Sequence, residues 1–191
     1  MHIAPADTQY TFRVTKNTML AWLLGRKPLW ELCSIGERVQ VIAAIERGED
    51  VNGKSPCGKT GLMLAVERGH NLVVNLLLQQ PRIDVNCYDN GGDGALDTAC
   101  LMNNAEAVRM LVNHPTMSSL NLWTHSGDFP LMIAVKHGYV ECARVLVALP
   151  GQNMQKREQR EPQRSVLEVA RYTGFIKRWI ASFLLQGARE P

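Results

Sequence analysis

The chain contains no apolar run near the ~20 residues that a helix needs to cross a bilayer. Nor does its start, Met1-His2-Ile3-Ala4-Pro5, show the charged opening and apolar block of a secretory signal. No C-x-x-C pair occurs, and the cysteines number five: Cys33, Cys57, Cys87, Cys100 and Cys142. An odd count without paired spacing argues against a disulfide frame and suits a reducing compartment. The expected location is the cytoplasm, with the nucleus as the alternative. The five histidines are scattered, and no H-E-x-x-H is present, so no metal and no cofactor are expected.

What the chain does have is apolar residues, 46% of its 191, enough for a packed core in one compact domain. Its net charge of +3 is unevenly spread. Residues 1–28 hold four Lys or Arg against one Asp, and residues 155–191 hold eight against four Glu. Residues 29–154 hold nine against thirteen Asp or Glu, so an acidic body lies between basic ends.

The most informative stretch runs from Gly53 to Asn86. Leu62, Leu64, Ala65 and Val66 predict a short helix, and Gly69 supplies the φ > 0 that ends it. Leu72, Val73, Leu76 and Leu77 recur at helical spacing and predict a second helix with one buried stripe, stopped before Pro81. Two helices this short need neighbours to stack on. The neighbours stand in register: Leu62-Met63-Leu64-Ala65 returns as Leu96-Asp97-Thr98-Ala99, Leu131-Met132-Ile133-Ala134 and Leu167-Glu168-Val169-Ala170. The helix-ending positions follow the same ruler: Gly36, Gly69, Asn103, Gly138 and Gly174.

A turn and two helices repeating about every 33 residues resembles the ankyrin repeat, whose signature is T-P-L-H-x-A. Thr60-Gly61-Leu62-Met63-Leu64-Ala65 keeps the Thr, Leu and Ala, and Phe129-Pro130-Leu131-Met132-Ile133-Ala134 keeps the Pro, Leu and Ala. Gly69-His70 matches the family's G-H, and Asp50-Val51-Asn52 and Asp84-Val85-Asn86 match its D-V-N. In the family the signature His ties neighbouring hairpins together; here Met63, Asp97 and Met132 stand in its place. The resemblance implies an all-α ankyrin-repeat solenoid of about five helix-turn-helix units with short β-hairpin turns. Residues 1–26 are expected to form a tail and a short capping helix, Met19 to Leu24. Residues 27–191 form the repeat domain, with units near 27–52, 53–86, 87–121, 122–153 and 163–190 and a polar insertion at 152–164. Ala65, Ala99, Ala134 and Ala170 are expected to be buried where first helices touch.

Residues with catalytic potential do not converge. His125, Ser126 and Asp128 share one hairpin tip, where neighbours on a turn cannot line up as nucleophile, base and orienter, so no enzyme is expected. Gly91-Gly92-Asp93-Gly94 lacks the Lys-Ser/Thr of a phosphate cradle and reads as a hairpin turn. The run Lys156-Arg157-Glu158-Gln159-Arg160-Glu161 is interrupted by Glu and lacks aromatics for base stacking, so it reads as a solvated loop rather than a nucleic-acid site. Six apolar residues at Met19 to Leu24 are short for a membrane-surface helix and read as a cap on the first repeat.

The family resemblance implies protein recognition on the concave face and hairpin tips. The alternative is a structural spacer within a larger repeat assembly. Carried over by position, the contact residues are Lys59, Glu67 and Arg68 in repeat two, and Asn90, Asp93, Leu101 and Met102 in repeat three. In repeat four they are His125, Asp128, Lys136 and His137. Leu101 and Met102 replace polar pairs in the units either side, which suggests an apolar anchor point. Asp89 and Asp93, with Asp97 just beyond and Asp128 one repeat along, suggest an acidic strip. The expected partner is therefore a protein or peptide with a basic segment beside an apolar anchor. Some family members are hydroxylated on a hairpin Asn eight residues after a Leu, a spacing that Leu78 and Asn86 match.

The insertion at 152–164 breaks the repeat ruler and holds one apolar residue, Met154. With no periodicity to dock it, limited proteolysis is expected to cut first at Lys156 or Arg157. First cleavage within repeat two or three would contradict this reading.

Overall fold

The structure, a computed structural model, describes residues 26–118 and 128–149. Repeat five, the insertion at 152–164, the segment Met19 to Leu24, and His125 lie outside those residues. The described residues contain α1 (Leu29–Ile35), α2 (Arg38–Glu46), α3 (Gly61–Glu67), α4 (Asn71–Leu78), α5 (Ala95–Leu101), α6 (Ala105–Val112), α7 (Pro130–His137) and α8 (Val140–Val147). They contain no strand beyond two isolated antiparallel bridges, Lys54 with Thr60 and Tyr88 with Gly94, which close the hairpin tips of repeats two and three. The expected all-α solenoid with short hairpin turns is what the chain forms.

The first helices α1, α3, α5 and α7 pack on one another in one layer, and the second helices α2, α4, α6 and α8 in another. Ala65, Ala99 and Ala134 are fully buried, as the repeat pattern predicts. The helix-ending residues behave alike: Gly36, Gly69 and Gly138 have positive φ, and Asn103 reaches φ 53°, the one non-glycine among the described residues with that backbone. Asn tolerates the left-handed region better than most side chains. Gly36 is also held small by a neighbour, since a Cβ there would lie 2.6 Å from the His70 ring.

One expectation fails. Leu72 is 70% exposed, and the buried stripe of α4 is Val73, Val74 and Leu77. Helical residues are set 100° apart, so Leu72 and Leu76 form a row beside the Val73–Leu77 row rather than part of it. The Val73–Leu77 row faces the core, which leaves Leu76 half-buried and Leu72 outside.

Where the family's His is missing, its substitutes serve their own unit. The Thr60 N–H donates to Met63 Sδ at 3.5 Å and Met63 N–H to Thr60 Oγ1 at 3.3 Å, and Gly94 N–H donates to Asp97 Oδ2 at 2.9 Å. Ties between units come from elsewhere. Lys54 Nζ donates to the Tyr88 carbonyl at 2.6 Å, and Asn90 donates through its backbone and Nδ2 to the carbonyls of Cys57 and Pro56. At the opposite end, Asn52 Nδ2 donates to the Arg82 carbonyl and Asn52 Oδ1 accepts from Asp84 N–H. Asn86 repeats the clamp on the Thr116 carbonyl and Ser118 N–H. In D-V-N the Asp Oδ1 thus turns the chain by accepting from the Asn N–H. The Val is buried, and the Asn side chain joins two repeats.

Because close approach at the alanines sets the spacing of the first helices, Ala99→Leu should destabilise the chain by about 1–3 kcal/mol through overpacking. Urea unfolding measures this; an unchanged midpoint for leucine at Ala65, Ala99 and Ala134 alike would argue for a looser seam.

Candidate functional site

Residues 59, 93 and 128 occupy equivalent positions at the base of successive hairpins, and residues 67, 101 and 136 occupy equivalent positions at the end of the first helices. Repeat two joins the two positions with an ion pair, Lys59 Nζ to Glu67 Oε2 at 2.9 Å. Repeat four does the same with the charges exchanged, Lys136 Nζ to Asp128 Oδ1 at 2.6 Å. Repeat three has Asp93 and Leu101 at these positions, so the apolar Leu101 stands where its neighbours carry a charge. Leu101 is 36% exposed and Met102 beside it 49%.

The remaining contact residues divide. Arg68 follows α3 as its C-terminal cap, exposed, and His137 stacks on Tyr139 with ring centroids 5.4 Å apart. Asn90 is exposed, but its amide is spent on the tie to Pro56. Arg68, Glu67, Asn71, Met102 and Asn104 line an open groove of about 390 Å³ between the helix-to-helix turns of repeats two and three. Asn104 Nδ2 donates across it to Asn71 Oδ1 at 2.8 Å, and Asn71 Nδ2 donates to Glu106 Oε2 at 2.5 Å. This polar network across the turns was not expected from the sequence, where Asn71, Asn104 and Glu106 look like ordinary surface residues.

The acidic strip is smaller than the sequence suggests. Asp97 is 4% exposed and faces inward as the capping partner of Gly94, not outward beside Asp93. Asp128 spends its charge on Lys136. Asp89 Oδ1 accepts from the Gly91 and Asp93 N–H groups, which shapes the hairpin tip. The G-G-D-G segment is a hairpin turn, with Gly92 at φ 74°. Among the described residues no group of three His, Cys, Asp or Glu has an arrangement that holds a metal.

Asp97 is under electrostatic stress. Burial pushes its carboxyl up from 3.8 to about 7, the Gly94 N–H bond opposes the rise, and the carboxylates of Asp93 and Asp89 add to it. Its Oδ1 is buried without a hydrogen-bond partner. The buried thiols Cys33 and Cys142 are likewise pushed up, to about 12 and about 11, with burial the main cause.

A family model described as ankyrin repeats (3 copies) matches residues 29–122 and again residues 62–158. The chain is 29% identical to the human transient receptor potential cation channel subfamily A member 1 over 157 residues, 77% of this chain and 14% of that protein. It is 24% identical to mouse Rabankyrin-5 over 165 residues, 86% of this chain and 14% of the relative. It is 35% identical to the human photoreceptor ankyrin repeat protein over 89 residues, 45% of this chain and 20% of that one. The chain therefore spans a small fraction of these relatives' length. Among the described residues no helix is long and apolar enough to cross a membrane.

The Asp97 geometry predicts a pH dependence. Its folded value, about 7, lies above the ordinary 3.8, so the fold holds a proton that the unfolded chain gives up. The resulting stability is full below 3.8 and is lost as pH rises through about 7. Asp97→Asn keeps an acceptor for Gly94 N–H and removes the titration. Its stability relative to the parent should rise by about 1–3 kcal/mol between pH 5 and pH 8. Parallel stability curves for the two proteins would show that Asp97 stays ionised in the fold.

Proposed function

The chain belongs to the ankyrin-repeat family, and from that premise we propose that it is a non-catalytic protein-interaction module that reads its partner on the concave face and hairpin tips. Ankyrin repeats mediate contacts between proteins, and their surface offers shape and a few anchors rather than an enclosed reaction pocket. The observation that carries the reading is the interruption at repeat three. Lys59–Glu67 and Asp128–Lys136 neutralise themselves on either side, and between them stand Leu101 and Met102, apolar and exposed. An exposed apolar patch rimmed by polar residues is the kind of surface that marks a contact site. The basic segment of the partner lies over the repeat-three tip, where Asp89 and Asp93 stand. Cytoplasm or nucleus is the compartment proposed.

Asn86 keeps its place as the proposed hydroxylation site. Its amide bridges to Thr116 and Ser118, so an added hydroxyl would sit on the joint between repeats two and three rather than in the groove. A second reading, a spacer within a longer repeat assembly, is favoured by one finding: the matched region is 14% of the first relative's length. A spacer has no ligand of its own, so the test below separates the two.

Peptides selected on the immobilised chain from a displayed random library should carry Lys or Arg beside an apolar residue. Replacing both Leu101 and Met102 with Ala should speed their dissociation about tenfold, since truncating a central anchor acts mainly on the off-rate. Asp93→Lys should slow association and flatten its salt dependence. Selected peptides that bind the Leu101, Met102 variant unchanged would move the site elsewhere, and a failure to select any would favour the spacer.

A further inference from the structure

Five large apolar side chains are exposed among the described residues: Ile35 (42%), Val39 (78%), Leu72 (70%), Leu101 (36%) and Met102 (49%). All five lie at the turns that join first to second helices in repeats one to three. They also fall on the repeat ruler: Ile35 and Met102 are equivalent to each other and to Arg68, and Val39 is equivalent to Leu72. These turns form one continuous edge. His70 Nε2 lies 3.1 Å from the Ser34 carbonyl, Asn104 bonds Asn71, and Cys142 Sγ reaches Asn103 Oδ1 at 3.6 Å. At the position of Val39 and Leu72 the later repeats carry carboxylates, Glu106 in repeat three and Glu141 in repeat four, so the apolar side chains of repeat three are those at the end of its first helix, Leu101 and Met102.

The charges along the edge give the occupant its sign. Glu67 is paired with Lys59 and the neighbouring Glu37 and Arg38 offset each other, while Glu106 accepts from the neutral Asn71 amide and keeps its charge at the repeat-three end of the edge. Among the described residues no partner engages the Arg68 guanidinium, which lines the groove with Met102. The spacing gives the occupant its shape. Packed helices lie about 8–10 Å apart, so Val39 and Leu72, in the same register of adjacent helices, are separated by about that distance. A helix rises 1.5 Å per residue and returns to the same face after seven, covering about 10 Å. An extended strand shows the same face every second residue, at about 7 or 13 Å, and misses this spacing.

We infer that the helix-turn edge of repeats one to three docks an amphipathic helix of a partner protein, with apolar residues seven apart and a carboxylate for Arg68. The edge shares Arg68, Leu101 and Met102 with the concave site and rests on that reading for these three, while Ile35, Val39 and Leu72 belong to the edge alone. The chain's own Met19-Leu20-Ala21-Trp22-Leu23-Leu24 has no carboxylate to offer Arg68 and does not fit this description.

The test is a displayed library of randomised helical peptides of roughly 20 residues, selected on the full chain, a length that holds three positions seven apart. Enriched peptides should show that apolar spacing with Asp or Glu beside it. Val39→Ser with Leu72→Ser should weaken them about fivefold or more, and Arg68→Glu comparably, at unchanged Tm because these side chains are already in water. Asp93→Lys, which probes the hairpin side of the concave site, should leave them unaffected. Three outcomes would overturn the inference: enriched peptides indifferent to the Val39, Leu72 double change; binding seen only after residues 1–25 are removed, which would assign the edge to the chain itself; or a dimer abolished by Leu72→Ser, which would assign it to a second copy.

Discussion

The stack depends on one constraint, the close approach of first helices at Ala65, Ala99 and Ala134. None of the described helices exceeds nine residues. Isolated helices below ~12–15 residues are marginal in water, so each pair is stable only through its neighbours. A methyl group at each contact lets the next helix come near enough for Leu62, Leu96 and Leu131 to be buried almost completely. The order of the chain follows from this spacing. Hairpin tips projected from helices at fixed separation meet at fixed separation too, and the polar ties form because the alanines have already set the distance.

Those ties give the hairpins and loops a register that apolar contact alone does not. Gly58 shows how tight the fit is: φ is 78°, and a Cβ there would lie 2.3 Å from Asn90 Oδ1 and 2.7 Å from its backbone N. The glycine is required both by its backbone and by the tip of the next repeat. Asn52 and Asn86 do the corresponding work at the loop end, each using donor and acceptor of one amide to bridge two segments. These bonds are exposed, so each adds only modest stability, and their larger effect is to fix the register of the joint.

The architecture was legible because a repeat writes the same physical requirement several times. Gly36, Gly69, Asn103 and Gly138 each end a helix, and their common spacing identified them before any backbone angle was known. Burial of individual residues was less legible. Leu72 is as apolar as Leu77, and only the direction that α4 presents to the core separates the buried row from the exposed one. Asp97 misled for a related reason. Its charge suggested the surface, whereas the capping bond to Gly94 N–H turns it inward. The ion pairs Lys59–Glu67 and Asp128–Lys136 were present in the sequence as opposite charges eight apart. Eight residues span about 12 Å along a helix and about 26 Å along a strand, too far for contact, and only a hairpin base folded against its own helix end brings them together.

The surface that results is specific where the repeat is broken. Lys59–Glu67 and Lys136–Asp128 run in opposite directions, so their dipoles oppose across repeat three and little net field remains for a ligand to feel. Half-buried ion pairs of this kind set the cost of desolvation against the gain in attraction and contribute modest net stability. Their larger effect is to withdraw four charges from the groove and leave its polarity to the residues that do not conform: Leu101 and Met102 in the place of charged side chains, and Arg68 without a counterion among the described residues. A repeat that matched its neighbours at these positions would bind every register of a partner equally well. The one that departs from them fixes where along the stack a partner's apolar residue can settle, because moving it by one repeat in either direction places it on a closed ion pair that it can neither replace nor hydrate.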